Sequence, residues 1–336
     1  MKPDTILLDH GSGGIRSHRL IADLMLPAFD NPALAKLDDG ATLNAIGGRI
    51  AFSTDTYVVD PIFFPGGSIG DLAINGTVND VAMCGATPLY LSVGMIIEEG
   101  FPMADLERVV KRMAYAARAA GVSVVTGDTK VVPKGAADKI YINTAGIGVL
   151  DETVHVSSAN ARTGDVVILS GTMADHGMTI LTRRQGLAFD VDIQSDSAPL
   201  NHMVADMLGT GCDLHVLRDP TRGGVGTALN EIAAQSRKGI RIHEERLPVR
   251  PQVAGICDLL GFDPLYVANE GKLLALVPAG QADAVLRVMR QSTYGTHACV
   301  IGEVVDDRPG RVFMTTRIGG ERIVDRLTGE QLPRIC

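Results

Sequence analysis

One thiol and a scatter of carboxylates are the groups in this sequence best equipped for chemistry. The thiol is Cys336, the last residue, preceded by Leu332-Pro333-Arg334-Ile335. Chain ends move unless something docks them, so this sulfur is expected to swing on a short tether. That suits a group carrier, loaded in one place and processed in another; an accidental free cysteine is the plain alternative. The carboxylates fall in four strings: Asp38-Asp39-Gly40-Ala41, Ser53-Thr54-Asp55-Thr56, Asn79-Asp80-Val81-Ala82 and Gly127-Asp128-Thr129-Lys130. Any one of these aspartates reads equally as a helix cap or a turn residue. Several converging carboxylates with few histidines suit hard, oxygen-seeking Mg²⁺, which is commonly bound together with phosphate oxygens. Asp80 stands inside the apolar run Leu72–Cys84, where a carboxylate needs a partner because an unpaired buried charge is costly. Asp128 follows the β-branched run Val122–Thr126 and is expected at a strand's C-terminal edge, where ligands of α/β sheets sit.

Three further segments could hold an anion or move a proton. His10-Gly11-Ser12-Gly13-Gly14 offers main-chain amides that can wrap a phosphate, with a flexible arm as the alternative. Arg218-Asp219-Pro220-Thr221-Arg222-Gly223-Gly224 runs straight into an expected helix, whose free N–H groups and dipole attract anions. Asn269-Glu270-Gly271-Lys272 precedes an apolar strand and offers Glu270 as a general base, against a simple turn. Gly66-Gly67-Ser68-Ile69-Gly70 fits the pattern of a nucleophile elbow, but Pro65 precedes it and no strong strand leads in, so a loop is expected.

The elements that must position these groups alternate between strand and helix. Strand-like runs cover Ile50–Val59, Leu89–Ile97, Val122–Val125, Ile140–Leu150, Val166–Ser170, Leu273–Val277 and Val300–Val305. Three- and four-residue apolar spacing predicts a helix over Ala104–Ala120, with others after Gly224, over Gln252–Leu260 and over Ala282–Arg290. Gly121 and Gly261 are natural stops. The polar stretch Asp151–Gly164 separates two α/β halves. The expected organisation is an N-terminal segment, 1–37; a first α/β domain, 38–152; a C-terminal α/β domain, 153–322; and a mobile tail, 323–336, flexing at Gly319-Gly320 and Gly329.

Composition narrows the classes. The chain has 336 residues, 46% hydrophobic and 21% charged, as expected of a soluble two-domain protein. A net charge of −8 without a basic stripe argues against a nucleic-acid surface. Five dispersed cysteines without a CxxC pair predict neither disulfides nor a zinc site, and hence a reducing, cytoplasmic compartment. No run approaches the roughly 18 apolar residues of a membrane span.

Taken together, the four acidic strings resemble the ATP-binding half of the aminoimidazole-ribonucleotide-synthetase superfamily, which includes thiamine-monophosphate kinase and selenophosphate synthetase. Within it, His10–Gly14, Asp55–Pro61, Ser170–Gly177, Arg218–Gly224, Asn269–Lys272 and the terminal Pro333-Arg334-Ile335-Cys336 resemble the HypE family. These are the carbamoyl dehydratases that mature nickel–iron hydrogenases. The likeness runs nearly end to end and is most specific in the last four residues. It implies an α/β (α+β type), two-domain aminoimidazole-ribonucleotide-synthetase-like fold, whose N-terminal domain, 38–152, is the ATP/Mg-binding and dimerisation domain and forms a barrel across a homodimer.

The resemblance also implies ATP and Mg²⁺ in the cleft between domains, and carbamoyl loading of Cys336 by the carbamoyltransferase HypF. Dehydration of the Cys336 thiocarboxamide to thiocyanate would then supply cyanide to iron on the HypC–HypD scaffold. On that footing Asp55, Asp80 and Asp128, together with Asp39, are the metal ligands. Gly11, Gly13, Gly14, Thr129, Asp219, Arg222 and Asn269 join Asp55, Asp80 and Asp128 around the nucleotide. Cys336 carries the group, Lys130 polarises the carboxamide or phosphate, Glu270 accepts the proton, and His10 is an additional acid/base or phosphate contact. Two alternatives stand beside this: a small-molecule ATP-dependent synthetase or kinase of the same superfamily, and a nucleotide-switched assembly scaffold.

Overall fold

The computed structural model describes residues 4–12, 14–37, 40–44, 47–187, 192–327, 332 and 334–336; Gly13, Asp38, Asp39, Gly329 and Pro333 lie outside the described residues. The chain opens with α1 (Ile15–Leu20) and the single turn α2 (Leu26–Ala28), joined by a π-helical turn over Ile21–Met25. Next come β1 (Arg49–Tyr57), the short hairpin strands β2 (Phe63–Phe64) and β3 (Gly67–Ser68), and α3 (Ile69–Met83). The first half closes with β4 (Thr87–Glu98), α4 (Met103–Ala120), β5 (Ser123–Val132) and β6 (Ile140–Leu150).

Four of these strands form one sheet in the order β1-β6-β4-β5, antiparallel except for the β4–β5 pair. The edge strands, β1 and β5, each have a partner on one side only among the described residues. Helix α3 lies on one face and is buried nearly all round, its polar Asp71, Asn75, Thr77 and Asn79 included. Gly76 lets it approach β1: a Cβ there would stand 2.3 Å from the Tyr57 hydroxyl. Its N-terminus is capped by Ser68, whose hydroxyl accepts from the Gly70 N–H (3.2 Å) and donates to Asp71 (2.7 Å). Ser68 in the Gly66–Gly70 string therefore starts a helix, where a loop was expected. Outside α4, with its buried stripe of Leu106, Val109, Val110, Met113 and Ala117, the chain turns at Gly121 in the left-handed conformation (φ 72°). The opposite face of the sheet exposes Ile50, Phe52 and Ile96.

One strand differs from expectation. β5 does not stop near Thr126 but continues to Val132, so Asp128 is a mid-strand residue and not a strand-end one. The reason is Gly127, which reads as a break but lies in register with Val93 of β4. A Cβ there would stand 2.7 Å from the Val93 carbonyl oxygen, so glycine is what allows the ladder to continue.

The second half contains β7 (Asp165–Leu169), α5 (Asp175–Arg184), α6 (Asn201–Gly209), β8 (Val216–Arg218), α7 (Gly224–Ser236) and β9 (Gly239–His243). It continues through α8 (Pro251–Leu260), β10 (Leu274–Pro278), α9 (Ala282–Gln291), β11 (Cys299–Val305), β12 (Val312–Thr315) and β13 (Glu321–Val324). Its seven strands run β13-β12-β9-β11-β7-β10-β8. α7 packs on one face and α6 with α9 on the other, which is why β7 and β10 read as continuous apolar runs. Gly319 and Gly320 form the turn between β12 and β13, and β13 holds 323 and 324 in the sheet; the tail proper starts after it.

A third packing region joins the halves. Met178 and Leu181 of α5, Val253 and Ile256 of α8, and the tail residues Leu332 and Ile335 belong to the same apolar cluster as α3 and α4. Ile335 is only 3% exposed, and burying it contributes roughly 2 kcal/mol to docking. Where described, the tail is an anchored segment. Among the described residues no helix is long and apolar enough to cross a membrane.

Candidate functional site: a docked cysteine over a carboxylate cluster

The tail lies against the stretch that follows β1. The Val58 N–H donates to the main-chain oxygen of Cys336 (3.0 Å) and the Asp60 N–H to that of Arg334 (3.3 Å). Arg334 returns a hydrogen bond from Nε to the Val58 carbonyl (2.8 Å) and pairs with Asp138. From α5, Arg184 donates to the Arg334 carbonyl (2.6 Å), and His176 Nε2 lies 2.8 Å from the Ile335 carbonyl. A carbonyl can only accept, so Nε2 carries the proton and Nδ1, 2.8 Å from the Ser195 hydroxyl, accepts. Burial lowers the His176 pKa, which keeps the ring neutral.

This docking sets Cys336 among acidic residues drawn from distant segments. Burial pushes its thiol far up, reinforced by Glu270 and opposed by Arg222, with Asp55 and Asp219 also acting on it. Asp80, on α3, accepts the Ser53 hydroxyl at 2.8 Å. Burial drives its carboxyl up to about 7, and the negative charge of Asp219 adds to the shift. Burial raises Asp219 as well, although Arg218 pulls the other way. Glu270 is pushed well above the glutamate range by burial first, then by Asp196, Asp55, Asp219 and Asp80. Its Oε1 is buried without a hydrogen-bond partner. Arg222, exposed, approaches Asp55 to 4.0 Å.

The loop before β10 is held from behind. Asp196 accepts the Glu270 N–H at 3.1 Å and pairs with Lys272 at 3.0 Å, both side chains being buried. Burial alone would raise the Asp196 carboxyl, but Lys272, with the Glu270 N–H, holds it below the usual range. Asn79 donates to the Glu270 carbonyl and to that of Ala198. Asn269 uses its carbonyl for the Ala174 N–H (2.8 Å) and its amide for Pro220 and Val267. It ties three loops together behind the cluster, with both ends of its side chain committed to main chain.

A second set of expected site residues gathers elsewhere. A cavity of about 310 Å³ between the N-terminal helices and β4–β5 is lined by His10, Gly11, Asp128, Thr129 and Lys130. Asp128 is exposed, 2.9 Å from Lys130, and the hydrogen bond from Lys130 lowers its carboxyl pKa against a small burial effect. His10 Nδ1 accepts the Leu7 N–H at 2.9 Å, so the proton sits on Nε2. Gly11 abuts β5, a Cβ there standing 2.5 Å from the Val131 nitrogen, and Gly14 precedes α1 as its N-cap.

One chain does not unite the two sets. Asp55 pairs in register with Thr144, Thr144 with Val93, and Val93 with Gly127, a span of three strand spacings or roughly 14 Å. Alternation then puts Asp128 and Lys130 on the open face, opposite Asp55 and α3. Of the proposed metal ligands, Asp55 and Asp80 belong to the Cys336 cluster and Asp128 does not; Asp39 and the nucleotide-site residue Gly13 lie outside the described residues. Among the described residues no three His, Cys, Asp or Glu side chains converge tightly enough to hold a metal by themselves. Sequence reasoning missed His176, Arg184, Asn79 and the Asp196–Lys272 pair. Each acts through a carbonyl or loop far away in sequence, and the only available signal was a histidine in the otherwise unassigned string Ser170–Gly177.

Comparison with known proteins agrees with this architecture. Residues 37–150 match the family of AIR synthase related proteins, N-terminal domain, and residues 162–315 match the corresponding C-terminal domain. The carbamoyl dehydratase HypE of Cupriavidus necator is 52% identical over 337 residues, covering 100% of this chain and 96% of that protein. The crystal structure of the hydrogenase maturation protein HypE in complex with ATP superposes with a TM-score of 0.96 at 55% identity, covering 99% of this chain and 100% of that one. The HypE chain matched in a HypE–HypF complex gives a TM-score of 0.81 at 49% identity, over 92% of this chain and 99% of that one. The chain belongs to the HypE family of carbamoyl dehydratases, built on the AIR synthase related fold.

Proposed function

We propose that this protein uses ATP to dehydrate a carbamoyl group carried on Cys336, giving a thiocyanate that supplies cyanide to the iron of nickel–iron hydrogenases. The observation that carries the reading is the docked tail, which sets Cys336 beside Glu270 in a cluster of carboxylates drawn from β1, α3 and the loops before α7 and β10. HypF is the partner expected to load the cysteine, and the HypC–HypD complex the expected acceptor of cyanide.

The residues present fit a divalent metal. Their donors are hard oxygens, Asp80, Asp219 and Glu270 are all pushed up by burial and by neighbouring carboxylates, and a buried Glu270 oxygen lacks a partner. Mg²⁺ commonly takes one or two carboxylates and completes its shell with water and phosphate, so a tight protein-only cage is not required. Asp55 and Asp80 would hold it. When bound, magnesium ATP supplies the phosphoryl group that converts the carboxamide oxygen into a leaving group.

The chain's own groups do the rest. The tail contacts fix the thiocarboxamide carbon in the cluster. Glu270, with its raised affinity for protons, accepts one N–H proton; the second leaves with the phosphate, so one ATP and one thiocarboxamide yield thiocyanate, ADP and phosphate. Arg222, opposite Asp55, stabilises developing charge on the transferred group. Burial of Ile335 and Leu332 keeps water from the tail on its inner side.

The homodimer explains the separated second set. The unpaired edges are β1 and β5, so closing a barrel between two copies lays β5 of one against β1 of the other. That pairing would bring the β5 segment 128–130 of a second copy beside the β1 strand that carries Asp55, with Thr129 on the face of Asp55; Lys130 is the group assigned to polarise the carboxamide or phosphate. Intact-mass spectrometry tests the overall reading. Cys336 should gain one carbamoyl unit from HypF and its donor, then lose one water when magnesium ATP is added. Activity retained after deletion of the last four residues would instead indicate a small-molecule kinase or synthetase.

A further inference from the structure

From the geometry around the tail we infer that His176 and Arg184 form a latch on α5 that sets how much of the time Cys336 is docked, and that undocking limits its loading. The two side chains grip consecutive main-chain oxygens of the tail: His176 that of Ile335 at 2.8 Å, Arg184 that of Arg334 at 2.6 Å. Both also hold the framework. Arg184 Nε donates to the Asp60 carbonyl (2.8 Å), and His176 Nδ1 accepts from Ser195. The latch is thus braced against the stretch after β1 that hydrogen-bonds the tail and against the loop that supports Glu270.

That second brace matters. Ser195 is the neighbour of Asp196, which accepts the Glu270 N–H; the Ser195 hydroxyl also accepts the Ser197 N–H at 3.1 Å. The Ser195 N–H donates to the Pro65 carbonyl, and Gly66 lies so close that a Cβ there would stand 2.7 Å from the Ser195 carbonyl oxygen. His176 is fully buried, its ring edge-on to Phe64 with centroids 5.6 Å apart, so it has one position. It therefore links the docked tail to the segment behind the proposed base. If the tail leaves, the buried imidazole N–H of His176 loses its acceptor, and Arg184 loses one of its acceptors while keeping the Asp60 carbonyl. A donor left without a partner costs more than the bond itself was worth, so docking is the favoured state. Loading by an outside enzyme must wait for the tail to open.

This is a positioning role, and it predicts effects of opposite sign on two steps. The first readout needs no substrate: alkylation of Cys336 by iodoacetamide, followed by peptide mass mapping with exposed Cys84 as the internal reference. His176→Ala should speed Cys336 alkylation about fivefold relative to Cys84, the effect expected of one lost buried hydrogen bond. His176→Gln, which keeps an N–H near the Nε2 position, should restore most of the slow reaction. Asp138→Asn, which loosens Arg334 from a half-exposed pair, should give about a twofold increase without threatening the fold.

The second readout rests on the carbamoyl reading above. In His176→Ala, loading by HypF should be faster and single-turnover water loss with magnesium ATP slower. Unchanged Cys336 alkylation in both His176→Ala and Asp138→Asn would overturn the latch. So would a parallel fall of loading and dehydration that His176→Gln does not reverse, because that marks a merely structural residue. Failure of wild-type protein to lose water would sink the proposed function and leave the alkylation result standing.

Discussion

Two acidic regions of this chain are built to opposite rules. On β5, Asp128 is exposed and neutralised by its own neighbour Lys130, an arrangement that keeps the carboxylate charged and contributes at most about 1 kcal/mol. Around the docked tail, Asp80, Asp219 and Glu270 are pressed together with too little positive charge, and each holds its proton more tightly than usual. A carboxylate with its own cation is complete. A buried cluster without enough cation fits the divalent metal proposed above, and in that proposal the docked cysteine brings the substrate to it. The β5 pair stands on a free sheet edge, where the proposed homodimer would place a second copy of the chain.

Removing the cargo site should have the largest effect. Cys336→Ser should abolish carbamoyl loading and water loss altogether while leaving ATP binding intact, as read by intact mass and by nucleotide titration. Next, Lys130→Ala and Glu270→Gln should each lower dehydration about 100-fold, the scale of losing one proton-transfer or charge-stabilising group. Mixing the two variants and allowing subunits to exchange should recover part of the activity, since one site of the mixed dimer regains both groups. Recovery failing in a dimer shown to have exchanged would erase the contrast between the two regions.

The smallest effect is on stability. Asp80 has a carboxyl pushed to about 7 in the fold, against an ordinary value of 3.8. The folded state thus prefers the protonated form, and the group's unfavourable contribution grows as pH rises from about 4 to 7, being complete above pH 7. In chelator, Asp80→Asn should raise Tm by roughly 2–4 °C at pH 8, and by less at pH 5. Differential scanning calorimetry at the two pH values decides it; equal shifts at both would show that the carboxylate is not under the burden described.

Much of this molecule was readable before its fold was known, and the gaps have physical causes. Helices α4, α7, α8 and α9 declare themselves through three- and four-residue apolar spacing and glycine stops. The aspartate strings mark the acidic residues but not their grouping, because grouping depends on strand order and on which face of β5 each residue takes. α5 stayed hidden: its Asp175, His176, Thr179 and Thr182 are buried, bonded to loops, to the tail and to the helix's own carbonyls, so no apolar stripe sets it apart. Asn269, assigned to the nucleotide by resemblance, also ties three loops together through main-chain hydrogen bonds, which its letter alone does not reveal. The tail gave the strongest functional clue and the weakest structural one. Its docking rests on main-chain oxygens, which every sequence carries and none advertises.

The account turns on the docked Cys336 passing its amide proton to Glu270. Glu270→Gln protein, carbamoylated on Cys336 and mixed with magnesium ATP, should load normally and bind nucleotide. It should lose water in a single turnover with a half-life about 100 times that of the wild type. Loss of water at the wild-type rate in that variant would contradict it.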